Sequence, residues 1–245
     1  MSYELRVWER PSPGGPYAIG GDPAEGLPEG DDSVLEVLDC RQGLQVAELQ
    51  GKLDPFTLGE LAWMLGTLYN HALVALESTK DGGANPKLFE LGYRRIYYEM
   101  ADRGKAWDEA TARLGLYMNL RSRHRLTAQA RKWMAGGSVR PRSVQLLDQC
   151  NTFVLRDTKY QAIPGGHDDL VMAWVIAIEM MRVQLLADGV GAQGLAPLVN
   201  GQPVEPRGAE DLDVAEQRPR SERLAAHTVA ARDRLLPTTT MGNLL

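Results

Sequence analysis

The sequence predicts an α/β fold in which helices flank a mixed β-sheet with both antiparallel and parallel strands. Two patterns indicate this class: a series of short strands with period-two alternation, and then a change to helical spacing within a β-α-β-α-β order. The composition is that of an ordinary soluble globular chain, because 44% of the 245 residues are hydrophobic and 24% are charged. A chain of this length can bury one sizeable core and carry an additional segment.

The first half of the chain is expected to form the antiparallel part of the sheet. A lead-in strand is predicted over Tyr3–Glu9 and ends at a run of prolines and glycines. Three further strands joined by short links predict an antiparallel meander, namely Tyr17–Gly21, Ser33–Asp39 and Leu44–Leu49. A helix is predicted over Thr57–Asn70, where apolar residues recur with helical spacing.

The second half is expected to add parallel strands and further helices. The continuous apolar run Ala72–Leu76 is typical of a strand that is buried on both faces in a parallel sheet. A helix over Asn85–Tyr93 and a strand over Ile96–Glu99 then predict a second parallel strand. The remaining predicted elements are a basic helix over Asn119–Ala135, a helix over Arg142–Asn151, an edge strand over Thr152–Arg156 and a long apolar helix that begins at His167.

A domain boundary is predicted at Asp188, where the composition changes to glycine, proline and glutamine with little periodicity. Residues 1–187 are expected to fold as one domain. Residues 188–245 are expected to form a flexible, partner-binding tail with one short amphipathic helix within Glu216–Leu236.

The net charge and the absence of several motifs exclude a number of function classes. With 27 Lys and Arg residues against 32 Asp and Glu residues, the formal charge is −5, so any contact with DNA must be local. No apolar run of about 18 residues and no signal-peptide pattern occurs, which predicts a cytosolic protein without a membrane span. Cys40 and Cys150 lack the spacing of a zinc site or a disulfide framework, and the phosphate-binding loop of nucleotide triphosphatases is absent.

Three separated segments each place an acidic residue at the end of a predicted element. Asp22 follows the first strand of the meander, and Glu77 follows the predicted parallel strand. Asp168 and Asp169 begin the last helix. Residues just beyond neighbouring strand ends converge on one crevice of an open α/β sheet, so we expect these acids to approach each other. Clustered carboxylates favour a hard cation such as Mg²⁺ or Mn²⁺, and two such ions can activate water for phosphodiester cleavage.

Each of these acids also has a purely structural interpretation. Asp168 or Asp169 can cap the N-terminus of the last helix. Asp22 precedes a proline and can shape a turn, and Glu77 can lie on a solvated loop. The conjunction of the three positions favours a metal site over these separate explanations.

Neighbouring polar residues are expected to have lesser roles. Asp31 and Asp32 follow a glycine and are predicted to be turn residues rather than ligands. His167 adjoins the acidic pair and is expected to orient a carboxylate or a water molecule.

The order of the motifs resembles the nuclease domain of the large terminase subunits of tailed bacteriophages. The similar segments are Tyr17–Gly26, Val74–Glu77, Tyr160–Ala162 and Gly166–Ala173, and the similarity spans roughly Tyr3–Leu186. The resemblance implies an RNase H-like fold. It also implies a nuclease that cuts concatemeric double-stranded viral DNA during genome packaging with two divalent metal ions, Mg²⁺ or Mn²⁺.

Carried over by motif, Asp22, Glu77 and Asp169 are implied to hold the metal ions, with Asp168 beside them as a further catalytic acid. Many relatives have another acid where Met172 stands here, so the ligand on the helix must come from the Asp pair. The ATPase motor of the family is missing from the sequence, which is therefore expected to be an isolated nuclease half. The implied partners are double-stranded DNA, the terminase ATPase domain, the small terminase subunit and the portal protein, in the host cell cytoplasm.

Contact with DNA is expected from a local basic surface, since the chain is acidic overall. The candidates are basic residues of the predicted Asn119–Ala135 helix and a lysine that follows Glu77, namely Arg121, Arg123, Arg125, Arg131, Lys132 and Lys80. A solvated helix face is the alternative interpretation. Two other functions fit the same residues: a non-catalytic module that clamps DNA or docks on the portal, and a structure-selective junction resolvase.

Overall fold

The computed structural model of the chain describes residues 2–79, 82–100, 112–188, 198–199 and 202–203. The strands of the main sheet are β1 (Tyr3–Val7), β2 (Tyr17–Asp22), β3 (Ser33–Asp39), β4 (Leu44–Gly51) and β5 (Leu73–Leu76). The helices are α1 (Pro55–Leu68), α2 (Ala84–Glu90), α3 (Leu120–Ala135), α4 (Val144–Thr152) and α5 (Asp169–Ala187). Separate strand pairs are β6 (Tyr98–Met100) with β7 (Ala112–Leu114), β8 (Phe153–Arg156) with β9 (Lys159–Ala162), and β10 (Leu198–Val199) with β11 (Gln202–Pro203).

The main sheet combines antiparallel and parallel pairing, and its spatial order is β1-β4-β3-β2-β5. Strands β2, β3 and β4 form the antiparallel meander, and β1 pairs antiparallel with β4. Strand β5 lies parallel to β2, with Leu73–Leu76 aligned with Ala18–Gly21. The predicted α/β class with a mixed sheet is confirmed.

Helices cover both faces of this sheet and produce two apolar cores. One core lies between the sheet and α3, α4 and α5, where Trp174 is fully buried. The other core lies between the sheet and helices α1 and α2. Among the described helices, α5 alone has the length and hydropathy of a membrane span, with a mean hydropathy of 1.8, but 83% of that stretch is buried inside the protein. This burial is what a central core helix requires.

Side-chain caps fix where α1 and α3 begin. Asp54 caps α1, because its carboxylate accepts a hydrogen bond from the Thr57 N–H at 3.1 Å. Asn119 caps α3 in a reciprocal capping box with Ser122. The start of α3 matters for the site described below, because the N-terminal end of this helix borders it.

The predicted second parallel strand, Ile96–Glu99, is not a strand of the main sheet. Ile96 makes a single parallel bridge to Val74, and the chain then pairs with β7 instead. The next position along β5 is already taken, because the Leu116 N–H donates to the Leu76 carbonyl at 3.0 Å. The segment after Ile96 therefore leaves the edge of β5.

The predicted edge strand over Thr152–Arg156 also lies outside the main sheet. It forms a hairpin with β9, in which Phe153 is opposite Ala162. The turn consists of Asp157 and Thr158, both with positive φ, at 49° and 72°. Two consecutive positive φ angles give the turn whose twist suits a tight hairpin, so the segment pairs with itself.

The predicted tail falls largely outside the described residues. Of residues 188–245, the structure describes Asp188, β10 and β11. The helix predicted within Glu216–Leu236 lies outside the described residues, so it stays a prediction.

A buried carboxyl pair lies within the sheet, away from the strand ends. Glu36 of β3 is fully buried, and one of its carboxyl oxygens, Oε1, has no hydrogen-bond partner. The Gln45 side-chain amide donates to Glu36 at 2.6 Å and to Glu48 at 3.1 Å. Arg6 forms an ion pair with Glu48 at 2.8 Å. Burial, and next the negative charge of Glu48, raise the pKa of Glu36 well above its usual range.

We expect Glu36→Gln to stabilise the protein at neutral and alkaline pH by about 1–3 kcal/mol. A carboxyl group whose pKa is raised by folding favours the folded state at low pH, and this contribution is lost as pH rises through the folded-state pKa. The variant should therefore lose less stability than the wild type between mildly acidic and alkaline pH in urea unfolding experiments. The exposed Glu90→Gln serves as control, and equal pH profiles for wild type and Glu36→Gln would contradict this account.

Candidate active site

The carboxyl ends of β2 and β5 bring Asp22 and Glu77 side by side. Asp22 is the last residue of β2, and the residue before it, Gly21, aligns with Leu76, the last residue of β5. The Glu77 N–H donates to the Gly21 carbonyl at 2.9 Å, which keeps the chain in register beyond β5. The side chains of Asp22 and Thr79 are close enough to the Glu77 carboxyl group to shift its pKa. These are the two strand-end acids that the sequence pattern assigns to one crevice.

Asp169 reaches the same crevice because α5 lies directly on β2. Gly20 permits this approach: a Cβ atom at this position would lie 2.1 Å from the Ala177 amide nitrogen and 2.3 Å from the Ala173 carbonyl oxygen. Any side chain would hold the helix farther from the strand. Asp169, the first residue of α5, is 4% exposed, and its charge acts on Asp22.

Burial is the main cause that raises the pKa values of all three acids, and repulsion by neighbouring carboxylates adds to it. The pKa of Asp22 is raised well above its usual range, first by burial and then by the charges of Glu77 and Asp169. Burial is also the main reason that the pKa of Glu77 is raised. Burial raises the pKa of Asp169 to about 6, against the effect of a hydrogen bond from the Asp32 N–H. A bound cation would relieve this repulsion and favour the ionised carboxylates.

The two neighbouring acids Asp168 and Asp169 have different surroundings. Asp168 is at the N-cap position of α5, but its side chain makes no capping hydrogen bond. It forms an ion pair with Arg123, whose Nε also donates to the Tyr160 carbonyl at 2.7 Å. The helix-cap interpretation therefore fails for Asp168. Because Arg123 already neutralises Asp168, Asp169 is the acid of the pair better suited to a metal ion.

A second group of possible ligands shares Asp169. The ligand atoms of Asp31, His167 and Asp169 all lie within 4.8 Å of one another. His167 Nδ1 is 3.9 Å from a carboxylate oxygen of each of the two acids. Asp32 donates its N–H to Asp169 at 3.2 Å, and its own carboxylate forms an ion pair with Lys52 at 2.8 Å.

Asp31 thus lies at the site, whereas the sequence suggested only a turn residue. The relevant signal is the antiparallel pairing of β2 with β3, in which Asp22 is opposite Val34. This pairing brings the loop before β3 to the edge of the sheet where β2 ends.

The acids line a cleft of about 830 Å³. The same cleft is lined by the start of α3, with Asn119, Leu120 and Arg123, and by residues of β9, with Lys159 and Gln161. The cleft therefore carries basic as well as acidic side chains, a combination that suits a phosphodiester held over metal ligands.

The basic residues predicted for DNA contact do not share one environment. Arg123 faces the acids and is engaged by Asp168. Arg125 forms an ion pair with Glu179 at 3.1 Å, although its side chain remains 45% exposed. Lys80 lies outside the described residues, so its role stays a prediction.

The other three basic residues of α3 are exposed. Arg121 and Lys132 have no ion-pair partner within the described part of the chain. Arg131 Nη1 lies 3.5 Å from the Tyr160 hydroxyl group. At about 100° per residue, Arg121, Arg125 and Lys132 fall on one face of the helix.

Lys159 at the cleft and the pairing of Arg123 with Asp168 were not expected from the sequence. Lys159 is exposed and lines the cleft because the tight turn at Asp157 and Thr158 returns the chain toward the acids. Two turn residues between short β-like segments are a hairpin signal, which could have identified Lys159. The pairing of Arg123 with Asp168 spans 45 residues, and no local pattern in the sequence reports it.

The structure resembles those of phage terminase nucleases. The crystal structure of the large terminase nuclease from thermophilic phage G20c with bound magnesium is 21% identical, with a TM-score of 0.56 over 71% of this chain and 86% of that chain. The same nuclease with bound cobalt matches at 22% identity and a TM-score of 0.56 over the same shares. The Thermus phage P74-26 large terminase nuclease domain matches at 21% identity and a TM-score of 0.54, over 71% of this chain and 83% of that one. No protein-family model and no curated protein matches the sequence.

The mixed sheet with its order β1-β4-β3-β2-β5 and its flanking helices gives the chain an RNase H-like fold. Within that class, the chain has the fold of the nuclease domain of phage large terminases. The resemblance inferred from the motifs is therefore confirmed at the level of the fold.

Proposed function

We propose that this chain is a metal-dependent endonuclease that cleaves double-stranded viral DNA during genome packaging. The observation that carries the proposal is the convergence of Asp22, Glu77 and Asp169 from three separate segments into one cluster, in which loss of solvation raises the pKa of each acid. Buried acids with raised pKa values at the base of a cleft are common at catalytic sites. The fold shared with the terminase nucleases supports the same reaction class.

The donor set fits hard divalent cations. Carboxylate oxygens are the ligands that Mg²⁺ and Mn²⁺ prefer, and Asp22, Glu77 and Asp169 would hold two such ions. When bound, the ions supply a nucleophile from water and stabilise the charge on the leaving oxygen. The related nuclease has been crystallised with bound magnesium, cobalt and zinc, which supports divalent metal binding in this fold.

The protein's own groups hold and orient this site. Arg123 holds Asp168 and, through its second hydrogen bond to Tyr160, ties α3 to the hairpin of β8 and β9. The Asp32 N–H fixes the Asp169 carboxylate by donating to Oδ2. His167 lies at the exposed rim, where it can orient a carboxylate or accept a proton.

A duplex over the cleft would contact Lys159 there, and outside the cleft it would extend along the exposed face of α3, which lies on the opposite side of the helix from Arg123. Arg121, Arg125 and Lys132 on one face of α3, with Arg131 beside them and Lys159 at the cleft, offer phosphate contacts that position DNA without reading its sequence. Each phosphate contact contributes about 0.9 to the slope of log affinity against log salt concentration.

We expect Arg121→Ala and Lys159→Ala each to weaken duplex binding uniformly across sequences and to reduce the salt slope by about one. Fluorescence anisotropy with a labelled duplex over a range of salt concentrations measures both quantities. Glu60→Ala on the remote helix α1 serves as control. A salt slope unchanged in both basic variants would remove these residues from the DNA path.

The test of the function is cleavage of a supercoiled plasmid by the purified chain with Mg²⁺, with Mn²⁺ and with a chelator. We expect nicking and linearisation only with metal, and their loss in Asp169→Asn. Asp168→Asn should retain more activity than Asp169→Asn, because Asp168 contacts Arg123. Asp148→Asn, the same change at an exposed position of α4, is the matched control.

Two outcomes would contradict this proposal. A folded chain that neither cuts DNA nor is stabilised by millimolar Mn²⁺ would be a DNA clamp or a portal-docking module. Preference for four-way junctions over linear duplex would identify a resolvase. Both assays use the same protein preparation.

The remaining partners follow from the same proposal. The terminase ATPase domain, the small terminase subunit and the portal protein would act with this chain in the host cell cytoplasm. Residues 1–187 would form the nuclease domain, and residues 188–245 would form a partner-binding tail. Co-purification of the full chain and of a chain ending at Ala187 with those proteins tests this division.

A further inference from the structure

Strand β1 leaves a row of backbone groups unpaired at the edge of the main sheet. No other strand among the described residues pairs with the outer side of β1. On the inner side, the Lys52 N–H donates to the Ser2 carbonyl, and the Trp8 N–H donates to the Val46 carbonyl. The even-numbered residues of β1 therefore direct their N–H and C=O groups toward β4. Because this direction alternates along a strand, the odd-numbered residues present theirs to the outside.

The same odd-numbered residues carry exposed apolar side chains. Tyr3 is 52% exposed, Leu5 is 43% exposed and Val7 is 47% exposed. Their cross-strand neighbours Ala47 and Leu49 on β4 are fully buried. The apolar surface on this face of the sheet therefore extends from the core to β1, where it is exposed. An apolar edge strand with free backbone groups is a template for pairing with another strand.

The sequence of β1 is complementary to itself in one arrangement. When two copies run antiparallel with Leu5 opposite Leu5, Tyr3 lies opposite Val7, and Glu4 lies opposite Arg6 of the other copy. Unlike charges then face each other twice, and apolar residues meet on the opposite face. A parallel arrangement in the same register would instead place Glu4 against Glu4 and Arg6 against Arg6.

The backbone groups agree with this register. Residues that exchange two hydrogen bonds in an antiparallel pair must both direct their backbone groups toward the partner strand. Tyr3, Leu5 and Val7 do so, and they are the residues that this register places opposite one another. Charges on an edge strand usually prevent pairing. Glu4 and Arg6 already pair within one chain at 2.6 Å, and in this register each also faces the unlike charge of the other copy.

We propose that the chain forms a two-fold symmetric dimer in which β1 pairs antiparallel with β1 of a second copy, centred on Leu5. The two main sheets then form one continuous sheet, and the interface is of the isologous type common in dimers. The two-fold axis reverses the strand direction, so the two acidic clusters lie at opposite ends of the joint sheet. The dimer is therefore independent of the proposed nuclease activity, and each can fail without the other.

Sedimentation equilibrium of the full chain tests the dimer over micromolar to about millimolar concentrations. We expect a reversible shift from the 27.0 kDa of one chain to twice that mass. Leu5→Pro should raise the dissociation constant at least about tenfold, because proline removes an outward N–H donor and none of the bonds to β4. Leu5→Val keeps both the donor and the apolar side chain and should dimerise like the wild type.

Oxidative cross-linking tests the register without relying on proline. Leu5→Cys should form an intermolecular disulfide, since paired Cα atoms at this position lie about 5.5 Å apart. Val7→Cys should not cross-link with itself, because its copies would be about 13 Å apart along the strands. A wild type that is monomeric at about millimolar concentration, a dimer unchanged by Leu5→Pro, or equal cross-linking of the two cysteine variants would overturn the proposal.

Discussion

Asp22→Asn is expected to abolish metal-dependent DNA cleavage, with a loss of at least about 10³-fold in rate, while the protein stays folded. Asp22 lies between the other two acids of the cluster in their electrostatic effect, because the charges of both Glu77 and Asp169 raise its pKa. An amide of the same shape removes one negatively charged ligand from the proposed metal site. Initial rates of plasmid nicking at several Mg²⁺ concentrations measure the effect.

The same substitution should raise stability when no metal is bound. The pKa of Asp22 is raised in the folded state, so the contribution of this group to stability is present at low pH and is lost as pH rises through its folded-state pKa. At neutral pH the variant lacks the destabilising effect of ionising the Asp22 carboxyl group in the folded state. Its melting temperature should therefore be higher, by about 2 to 4 °C for each kcal/mol gained.

With bound metal, the wild type should become more stable than Asp22→Asn. The wild type gains about 2.7 kcal/mol when the metal concentration is a hundredfold above the dissociation constant, whereas the variant gains little. Thermal unfolding with chelator and with Mg²⁺ therefore gives a crossing pattern that a purely structural role for Asp22 would not produce. Asp148→Asn should show neither effect. An Asp22→Asn variant that cuts DNA at the wild-type rate would remove the proposed mechanism.

The local sequence predicted the elements that carry the three acids. The apolar run before Glu77 predicted a strand buried on both faces, and the short run before Asp22 predicted the first strand of the meander. These elements depend on residues close together in the sequence, so hydrophobic periodicity and turn residues are enough to predict them. The structure accordingly has β2, β5 and α5 close to their predicted positions.

The parts that the sequence did not predict depend on contacts between distant segments. Arg123 pairs with Asp168 across 45 residues, and Asp32 donates to Asp169 across 137 residues. Neither contact leaves a local signature, because each depends on how α3 and the loop before β3 pack around the end of β2. The prediction of a parallel strand after Ile96 was wrong for a related reason. Leu116 occupies the edge of β5 at that point, because its N–H donates to the Leu76 carbonyl.

The packing of α5 on β2 has a consequence that is both structural and functional. At Gly20, a Cβ atom would lie 2.1 and 2.3 Å from backbone atoms of α5. Backbone atoms cannot relieve such a clash by changing rotamer, as a flexible side chain can. Gly20→Ala should therefore destabilise the protein by about 3 kcal/mol and lower its melting temperature by about 6 to 12 °C.

The same change should reduce cleavage at temperatures where the variant remains folded. Pushing α5 away from β2 moves Asp169 relative to Asp22 and Glu77, and a displacement of about 1 Å at a catalytic group can cost about 10²-fold in rate. Differential scanning calorimetry and the plasmid assay measure the two effects separately.

Gly30→Ala is the matched control for stability, because a Cβ atom there meets its nearest neighbour at an ordinary 3.4 Å. Its effect on the melting temperature should correspond to less than about 0.5 kcal/mol. Equal melting temperatures for Gly20→Ala and Gly30→Ala would mean that α5 can move away from β2 without loss, and Gly20 would then not be what holds Asp169 beside the two strand-end acids.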